Sequence, residues 1–403
     1  MKQRLRVVAA AVACSGLLAA AGTTTVAGAS TKYPPIPKGP ITVGISTPLS
    51  GTEASYGVFT KLGIDSALAA FDAAHPNGID GHQVKIDLRN DASDVTQAVQ
   101  VANQLVANKD AAVITVSYNP AAAAQQLAVF TKAKMPVVAD LTGAQYANAK
   151  LYPYLFSPNP SVQQSTTSAA QWIGKMGYKK VAMLNDGIPA DVTDQTMIIA
   201  GMKKDAPKAK LVATTTITAG SVDDSAAITK LKQSNADLLV VNAGESYGPI
   251  WQAIQASGWS PAILTSAGAW YNGFTAMGSL EPKAYAYYWN CADTASQAFS
   301  ATQSSLMASF ASATSNLVVN YLTFIATDSV PLELLDYAIT KHHSVAPAAI
   351  QNALEGLHNQ TFLGFEYNYS AKNHYGLIGP YRAAVCHMGP PYAGGVGKVP
   401  VKG

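Results

Sequence analysis

The segment Ile41-Thr-Val-Gly-Ile-Ser-Thr-Pro-Leu-Ser-Gly51 joins a β-rich run to a turn. Its first five residues are mostly β-branched, which favours a buried strand. Pro48 and Gly51 are turn residues directly after that strand. A helical pattern with apolar Leu62 and Leu68 follows. A strand, a turn and a helix in this order predict the start of a parallel α/β unit.

The same alternation continues along the chain. The predicted strands after the first are 84–88, 112–116, 136–138, 180–184, 210–216, 237–241, 262–265, 365–369 and 381–386. The predicted helices are 98–106, 121–131, 165–176, 194–204, 225–233 and 249–257, with a further helix that starts near Pro331. Because parallel strands need helical crossovers, this order predicts an α/β fold with mostly parallel sheets.

Ligands of such folds bind beyond the carboxyl ends of the strands, where loops and helix N-termini meet. The segments expected to line a cleft there are 47–56, 117–119, 140–143, 185–191, 242–247 and 266–271. The pattern pauses at 154–165, which predicts a boundary between two lobes.

Composition excludes several classes of protein. The chain has 403 residues, 27 Lys and Arg against 24 Asp and Glu, and 48% hydrophobic residues. That length predicts two domains or one large one, and the hydrophobic content excludes wholesale disorder. A net charge of +3 without a basic run gives no support to a nucleic-acid partner.

The N-terminus has the pattern of an export signal. Lys2, Arg4 and Arg6 precede the apolar run 7–21, and Ala27-Gly-Ala29 supplies small residues for cleavage. We therefore expect residues 1–29 to be a signal peptide and the protein to reach the periplasm or cell envelope. A lipid anchor on Cys14 is the alternative. Removal of this segment leaves 24 basic and 24 acidic residues.

Two cysteines remain after the predicted cleavage. Cys291 and Cys386 would be exposed to an oxidising compartment, which favours a disulfide between them. Two buried free thiols are the alternative, since sequence gives no distance between the two Cα atoms.

One motif has the pattern of a catalytic serine. Gly244-Glu-Ser-Tyr-Gly248 matches the nucleophile elbow between a strand and a helix, with Ser246 as nucleophile. Asp293 and His387 follow in a suitable chain order. The turn composition of any α/β protein also explains the match, so we expect no enzyme. Neither metal-ligand spacing nor a nucleotide-binding motif occurs, and no cofactor is expected.

The residues around the opening segment resemble those of a known family. Residues 41–51 with Tyr56-Gly57 resemble the opening of type I periplasmic binding proteins of the leucine/isoleucine/valine class. Asn77-Gly-Ile-Asp-Gly81, Thr218-Ala-Gly220 and Ser257-Gly258 are similar to later family motifs. The resemblance extends from about residue 40 to residue 388.

The resemblance implies a two-lobed protein with three crossover strands that closes on a small molecule. It implies delivery of the ligand to the permease subunits of an ABC transporter and no catalysis, and we expect a monomer. The predicted division is lobe I at 36–157 and 292–362, lobe II at 158–291 and 363–388, and a loose tail at 389–403.

The ligand-binding residues follow from matched positions and from the cleft segments. In the first lobe they are Tyr56, Ser117, Tyr118, Asn119, Thr142 and Gly143. In the second lobe they are Asp191, Glu245, Ser246, Ser266, Trp270 and Tyr271. The family resemblance implies that Ser117 and Thr142 contact a ligand carboxylate, near a helix N-terminus that favours an anion.

Two departures from the family pattern bear on the ligand. Ala267 stands where amino-acid-binding members have a Glu for the ammonium group, and Ala190 stands where they have a tyrosine. Unless Asp191 or Glu245 substitutes, a buried ammonium would lack its partner. We therefore expect a carboxylate ligand with an apolar or aromatic body rather than an α-amino acid. The alternatives to transport are a secreted serine hydrolase and a sensing domain of the same fold.

Overall fold

The computed structural model describes residues 33–51, 53–243, 246–266, 269, 276–288, 301–313, 325–378 and 384–388. The chain from Tyr33 onward forms one compact unit. The predicted signal peptide, with Cys14, lies outside the described residues, as do Cys291, Asp293 and the predicted tail.

A first sheet of parallel strands forms the N-terminal part of this unit. Its strands are β1 (Ile41–Thr47), β2 (Val84–Asn90), β3 (Ala112–Thr115), β4 (Val137–Val138) and β5 (Leu155–Phe156), in the order β2-β1-β3-β4-β5. The helices between them are α1 (Ala54–Ala74), α2 (Val95–Ala107) and α3 (Pro120–Ala133). The side chain of Asp94 caps α2 by accepting the Gln97 N–H at 2.8 Å, which fixes where this helix begins.

A second sheet follows with the same strand and helix alternation. Its strands are β6 (Lys180–Asn185), β7 (Lys210–Thr216), β8 (Leu238–Asn242), β9 (Ala262–Ser266), β10 (Ala284–Tyr288) and β14 (Ala384–His387). Their order is β14-β10-β9-β8-β6-β7, and only β14 is antiparallel among these described strands. The helices are α4 (Val162–Met176), α5 (Pro189–Asp205), α6 (Ser225–Gln233) and α7 (Tyr247–Ala256). The predicted α/β class with mostly parallel sheets is confirmed.

The C-terminal part adds helices and a small antiparallel sheet. The helices are α8 (Ala301–Ala313), α9 (Val330–His342) and α10 (Pro347–Glu355), and a π-helical turn at Ile325–Ser329 leads directly into α9. The small sheet consists of β11 (Gln360–Phe362), β12 (Phe365–Tyr367) and β13 (Leu377–Ile378). The predicted strand at 365–369 belongs to this sheet and ends at residue 367.

Two tyrosines join the small sheet to the chain that leaves the first sheet. The Tyr369 hydroxyl donates to the Ser157 carbonyl at 2.8 Å, and the Tyr367 hydroxyl donates to the Pro158 carbonyl at 3.0 Å. Both side chains are fully buried. The segment at the predicted lobe boundary, residue 158, is therefore hydrogen-bonded to the small sheet. The division into lobes at that residue stays a prediction.

Within the described residues, no helix has the length and apolarity needed to cross a membrane.

Gly57 lies in the first turn of α1, where the turn after β1 passes very close to the helix. A Cβ atom built at this position would lie 1.9 Å from the Pro48 carbonyl oxygen. Backbone cannot yield as a flexible side chain does, so only glycine fits there.

We predict that Gly57→Ala lowers the free energy of unfolding by about 1–3 kcal/mol, because the added methyl group forces α1 away from the turn. Gly248→Ala is the matched control, since Gly248 also lies in a first helical turn but a Cβ atom placed there would have no neighbour within 4 Å. That control should gain up to about 1 kcal/mol from helix propensity. Urea unfolding of both variants checks this, and equal stabilities would contradict the close approach at Gly57.

Candidate functional site

A cavity of about 580 Å³ lies where the loops that follow the parallel strands meet. The loops after β3 and β4 line it from the first sheet, and the first turns of α5 line it from the second sheet. Thr327 and Asp328 of the π-helical turn complete the lining. This volume is in the usual range for a site that holds a small organic molecule.

Five of the predicted ligand residues line this cavity together. They are Ser117, Tyr118, Asn119, Thr142 and Gly143. The loops that carry them come directly after neighbouring strands β3 and β4, whose carboxyl ends lie at the same edge of the sheet.

The N-terminus of α3 keeps its own hydrogen-bond donors occupied. The Asn119 carboxamide oxygen accepts the N–H groups of Ala121 and Ala122, and Pro120 has no N–H to offer. The backbone N–H of Ser117 donates to the Gln126 side chain at 2.9 Å. The backbone N–H groups of Ser117, Ala121 and Ala122 are therefore bonded within the protein, whereas the Ser117 hydroxyl has no hydrogen-bond partner among the described residues.

Four other predicted residues lie outside the cavity lining. Tyr56 stacks on Tyr118, with 5.2 Å between the ring centroids, and so supports a lining residue from behind. Asp191 lies in the first turn of α5 rather than on the predicted loop. Ser266 shares a 2.6 Å hydrogen bond with the hydroxyl of buried Tyr247. Ser246 is described below, and Glu245, Trp270 and Tyr271 lie outside the described residues.

Ser246 lacks the surroundings of a nucleophile. Its side chain is buried, and its hydroxyl accepts the Gly220 N–H at 3.0 Å. His387 lies near the other edge of the same sheet, where its Nε2 is 3.0 Å from the Pro282 carbonyl oxygen. Pro282 precedes β10, whereas Ser246 follows β8, and the two strands run in the same direction. The two side chains therefore cannot form the predicted catalytic pair.

Cys386 is buried and disulfide-bonded. Its predicted partner Cys291 lies outside the described residues, so the pairing itself stays a prediction.

Three carboxyl groups that are not among the predicted ligand residues also line the cavity: Asp140, Asp194 and Asp328. No Lys, Arg or His is among the described lining residues. Burial disfavours the charged form of a carboxyl group and raises its pKa. The lining therefore presents acid groups in an apolar setting without a protein cation beside them.

Asp194 is held in place by a buried hydrogen-bond chain. The Tyr287 hydroxyl donates to its Oδ2 at 2.8 Å, and the Asn242 carboxamide donates to that hydroxyl. Burial raises the pKa of Asp194 to about 6, and the Tyr287 hydrogen bond opposes the rise. The chain fixes the carboxyl group at the first turns of α5, on the cavity side of the second sheet.

Asp140 and Asp328 both line the cavity, and the charge of Asp140 acts on Asp328. Burial raises the pKa of Asp140 to about 6, while the nearby Asn159 side chain opposes the rise. Asp328 is only 3% exposed, and burial together with the charge of Asp140 raises its pKa well above the usual range. Among the described residues, its Oδ2 has no hydrogen-bond partner.

Sequence signals for these three acids are weak. Asp140 follows β4 and falls within a segment expected to line the cleft, but nothing in its pattern distinguishes it from a solvated loop acid. Asp194 falls within a predicted helix, where an acidic residue usually faces solvent. For Asp328 the sequence indicates only that it precedes the predicted helix start at Pro331. The described residues hold no group of three His, Cys, Asp or Glu side chains that could bind a metal ion.

A family model described as "Periplasmic binding protein" matches residues 40–387. The chain belongs to the periplasmic binding protein family. The prediction of a type I member related to the Leu/Ile/Val-binding proteins is confirmed.

Curated relatives agree at lower coverage. Leu/Ile/Val-binding protein homolog 1 of Brucella abortus is 25% identical over 205 residues, which is 49% of this chain and 53% of the relative. Leu/Ile/Val-binding protein BraC3 of Rhizobium johnstonii is 26% identical over 217 residues, with 52% and 56% covered. The matches span about half the length of these relatives.

Solved structures show the same fold. The branched-chain amino acid transporter substrate-binding protein LivJ of Streptococcus pneumoniae, in complex with isoleucine, superposes with a TM-score of 0.71 at 22% identity. It covers 87% of this chain and 95% of its own. A solute-binding protein of an ABC transporter from R. palustris, in complex with 4-hydroxybenzoate, gives a TM-score of 0.70 at 18% identity, with 89% and 95% covered.

The buried carboxyl groups predict how stability depends on pH. An Asp with a pKa near 3.9 in the unfolded chain and about 6 in the folded protein binds more protons when folded. Its contribution to stability therefore falls as pH rises from about 4 to about 6. We predict that Asp194→Asn raises the melting temperature of the ligand-free protein at pH 7.5 by about 2–4 °C and changes it little at pH 4.

Asp65→Asn is the control, because the Asp65 side chain is 59% exposed on α1. Differential scanning calorimetry across this pH range measures the effect. A wild-type profile in the Asp194 variant would show that this carboxyl group is not desolvated.

Proposed function

We propose that the protein is the exported substrate-binding component of an ABC importer and captures one small organic solute in the cavity between the loops of its two sheets. The observation that carries this is the convergence of strand ends of the first sheet, α5 and the π-helical turn on about 580 Å³. Closure of the two lobes around the solute would present the bound form to the permease subunits.

Two structures of the same fold support a small organic ligand. LivJ holds isoleucine, and the R. palustris protein holds 4-hydroxybenzoate. Both ligands combine an apolar body with a polar end. For this chain we propose an apolar or aromatic body, because Leu141, Tyr146 and Ile188 contribute apolar surface to the cavity.

The polar end of the ligand is a separate question. The replacement of the family's Glu by Ala267 predicts a carboxylate ligand and argues against an α-amino acid. Against that prediction, Asp140, Asp194 and Asp328 line the cavity and offer a ligand ammonium other partners than the family's Glu. A ligand carboxylate would find the N–H groups of Ala121 and Ala122 occupied, while the Ser117 hydroxyl lacks a partner among the described residues.

Export, partner and assembly belong to the same proposal. The protein would leave the cytoplasm through residues 1–29, with lipidation of Cys14 as the alternative mode of attachment. It would work as a monomer beside the membrane subunits of the transporter, with the lobe boundaries predicted from the sequence.

Blocking the cavity tests the proposal. Ala190 lines the cavity at the first turn of α5, whereas Ala200 is exposed on the same helix and does not line it. We predict that Ala190→Trp abolishes binding of the ligand by filling the cavity, and that Ala200→Trp leaves binding unchanged.

Native mass spectrometry of protein purified after export looks for a co-purified ligand. Thermal-shift assays with aromatic acids, aromatic amines and branched-chain amino acids then identify the ligand with which the two variants are compared. Unchanged binding by Ala190→Trp with an intact fold would place the site elsewhere. The absence of both a co-purified molecule and any thermal shift would contradict a solute-binding function.

A further inference from the structure

The carboxyl groups around the cavity have no cationic partner among the described residues that line it. Asp140, Asp194 and Asp328 line the cavity without a Lys, Arg or His among the described lining residues. Buried carboxyl groups are usually paired with a cation or with several hydrogen bonds. A binding site can leave this pairing to its ligand.

Asp328 is the carboxyl group that most needs a partner from the ligand. Its side chain is 3% exposed and lines the cavity, and its Oδ2 lacks a hydrogen-bond partner among the described residues. It lies in a five-residue π-helical turn, a feature that is common at functional sites because it displaces one residue from the regular helix.

The charged residues on the helices that pack against this turn do not neutralise Asp328. On α1, Lys61 pairs with Asp65 on the exposed face, and Asp72 is exposed. On α9, Glu333 and Asp336 face His75. At the far end of α9, Lys341 is exposed and donates to the Tyr337 hydroxyl, and His342 lies beside Asn352.

The remaining helix that packs against the turn, α8, carries no charged residue. The titratable neighbour that acts on Asp328 is Asp140, and its influence is repulsive. Asp140 in turn faces Tyr375, whose hydroxyl donates to the Leu141 carbonyl and not to a carboxyl group.

We propose that the cavity binds its solute through a protonated nitrogen, which Asp328 and Asp140 contact from the first-sheet side and Asp194 from α5. This proposal rests on the solute-binding function proposed above and names the ligand class, an organic amine with an apolar or aromatic body. Amino-acid-binding members of the family have a Glu for the ligand ammonium at the position that Ala267 occupies here. In this proposal, Asp140, Asp194 and Asp328 bind the ligand nitrogen instead.

The direction of the pH dependence follows from this arrangement. The carboxyl groups must be ionised to hold a cation, and the pKa values of Asp140 and Asp194 are raised to about 6. Binding of a cation therefore releases protons below that pH, and affinity rises as pH rises. One displaced proton corresponds to about a tenfold gain in affinity per pH unit. An anionic ligand would show the opposite trend.

The test compares three compounds with the same body: phenethylamine, 2-phenylethanol and 3-phenylpropionate, with isopentylamine as an amine of different shape. Isothermal titration calorimetry with wild-type protein at pH 5, 6.5 and 8 gives affinities and proton release. We expect an amine to bind most tightly and to gain affinity between pH 5 and pH 8. Tighter binding of the alcohol or the acid would overturn the amine proposal while supporting solute binding. Failure of both amines to bind would overturn the amine proposal alone, because the solute-binding function is tested separately by the co-purified ligand.

Asp328→Asn assigns the effect to this residue. We expect amine affinity at pH 8 to fall about 10- to 100-fold, as for the loss of a charge-assisted hydrogen bond. The melting temperature should stay the same or rise, because burial disfavours the charged form of this carboxyl group, which the amide cannot adopt. Asp194→Asn should weaken amine binding in the same direction.

Asp336→Asn is the matched control, since its carboxyl group lies on the adjoining helix and faces His75 instead of the cavity. It should bind the amine as the wild type does. Equal amine affinities and equal pH profiles for Asp328→Asn and the wild type would overturn the role of Asp328 in amine binding.

Discussion

Parallel strands cannot be joined by a tight turn, so each strand must be followed by a crossover that starts at its carboxyl end. In this protein the constraint places the loops after β3 and β4 at one edge of the first sheet, and the start of α5 at the corresponding edge of the second sheet. The cavity is the space that these loops enclose. The strands behind them are buried and closely packed, which keeps each set of loops in place on its own sheet.

The local chemistry of these loops then decides what the cavity can bind. Asn119 uses its side chain to cap α3, and Ser117 gives its N–H to Gln126, so the first-sheet loops have fewer free donors than the strand order suggests. The π-helical turn adds Asp328, and the chain from Asn242 through Tyr287 adds Asp194. The result is a largely apolar cavity in which the charged side chains, among the described lining residues, are all acids.

Most of the fold follows from sequence, because its strands are continuous apolar runs and its helices carry a clear apolar face. The thirteen helices and strands predicted between residues 84 and 265 correspond to observed ones, with ends that differ by at most five residues. The short strands β5, β11 and β13 are not predicted, because two or three residues carry no periodicity, and the helices α8 and α10 are not predicted either. The small sheet is held by tertiary contacts, such as the Tyr367 and Tyr369 hydroxyl groups, which no local pattern encodes.

The sequence predicts those cavity-lining residues that come directly after a strand, and not those that lie on helical segments. Ser117, Tyr118, Asn119, Thr142 and Gly143 come directly after β3 and β4, and the structure brings them together. Ser246 follows β8 and Ser266 ends β9, but their hydroxyl groups bond to the Gly220 N–H and to the Tyr247 hydroxyl of α7. Asp194 and Asp328 reach the cavity from helical segments, where sequence alone gives no reason to place a buried acid.

A crystal structure with the tightest-binding solute tests the central claim most directly. We predict that the solute fills the cavity between α3, α5 and the π-helical turn, with its nitrogen about 2.7–2.9 Å from a carboxylate oxygen of Asp328 or Asp140. A solute bound outside this cavity, or one that presents a carboxylate to Asp328, would contradict it.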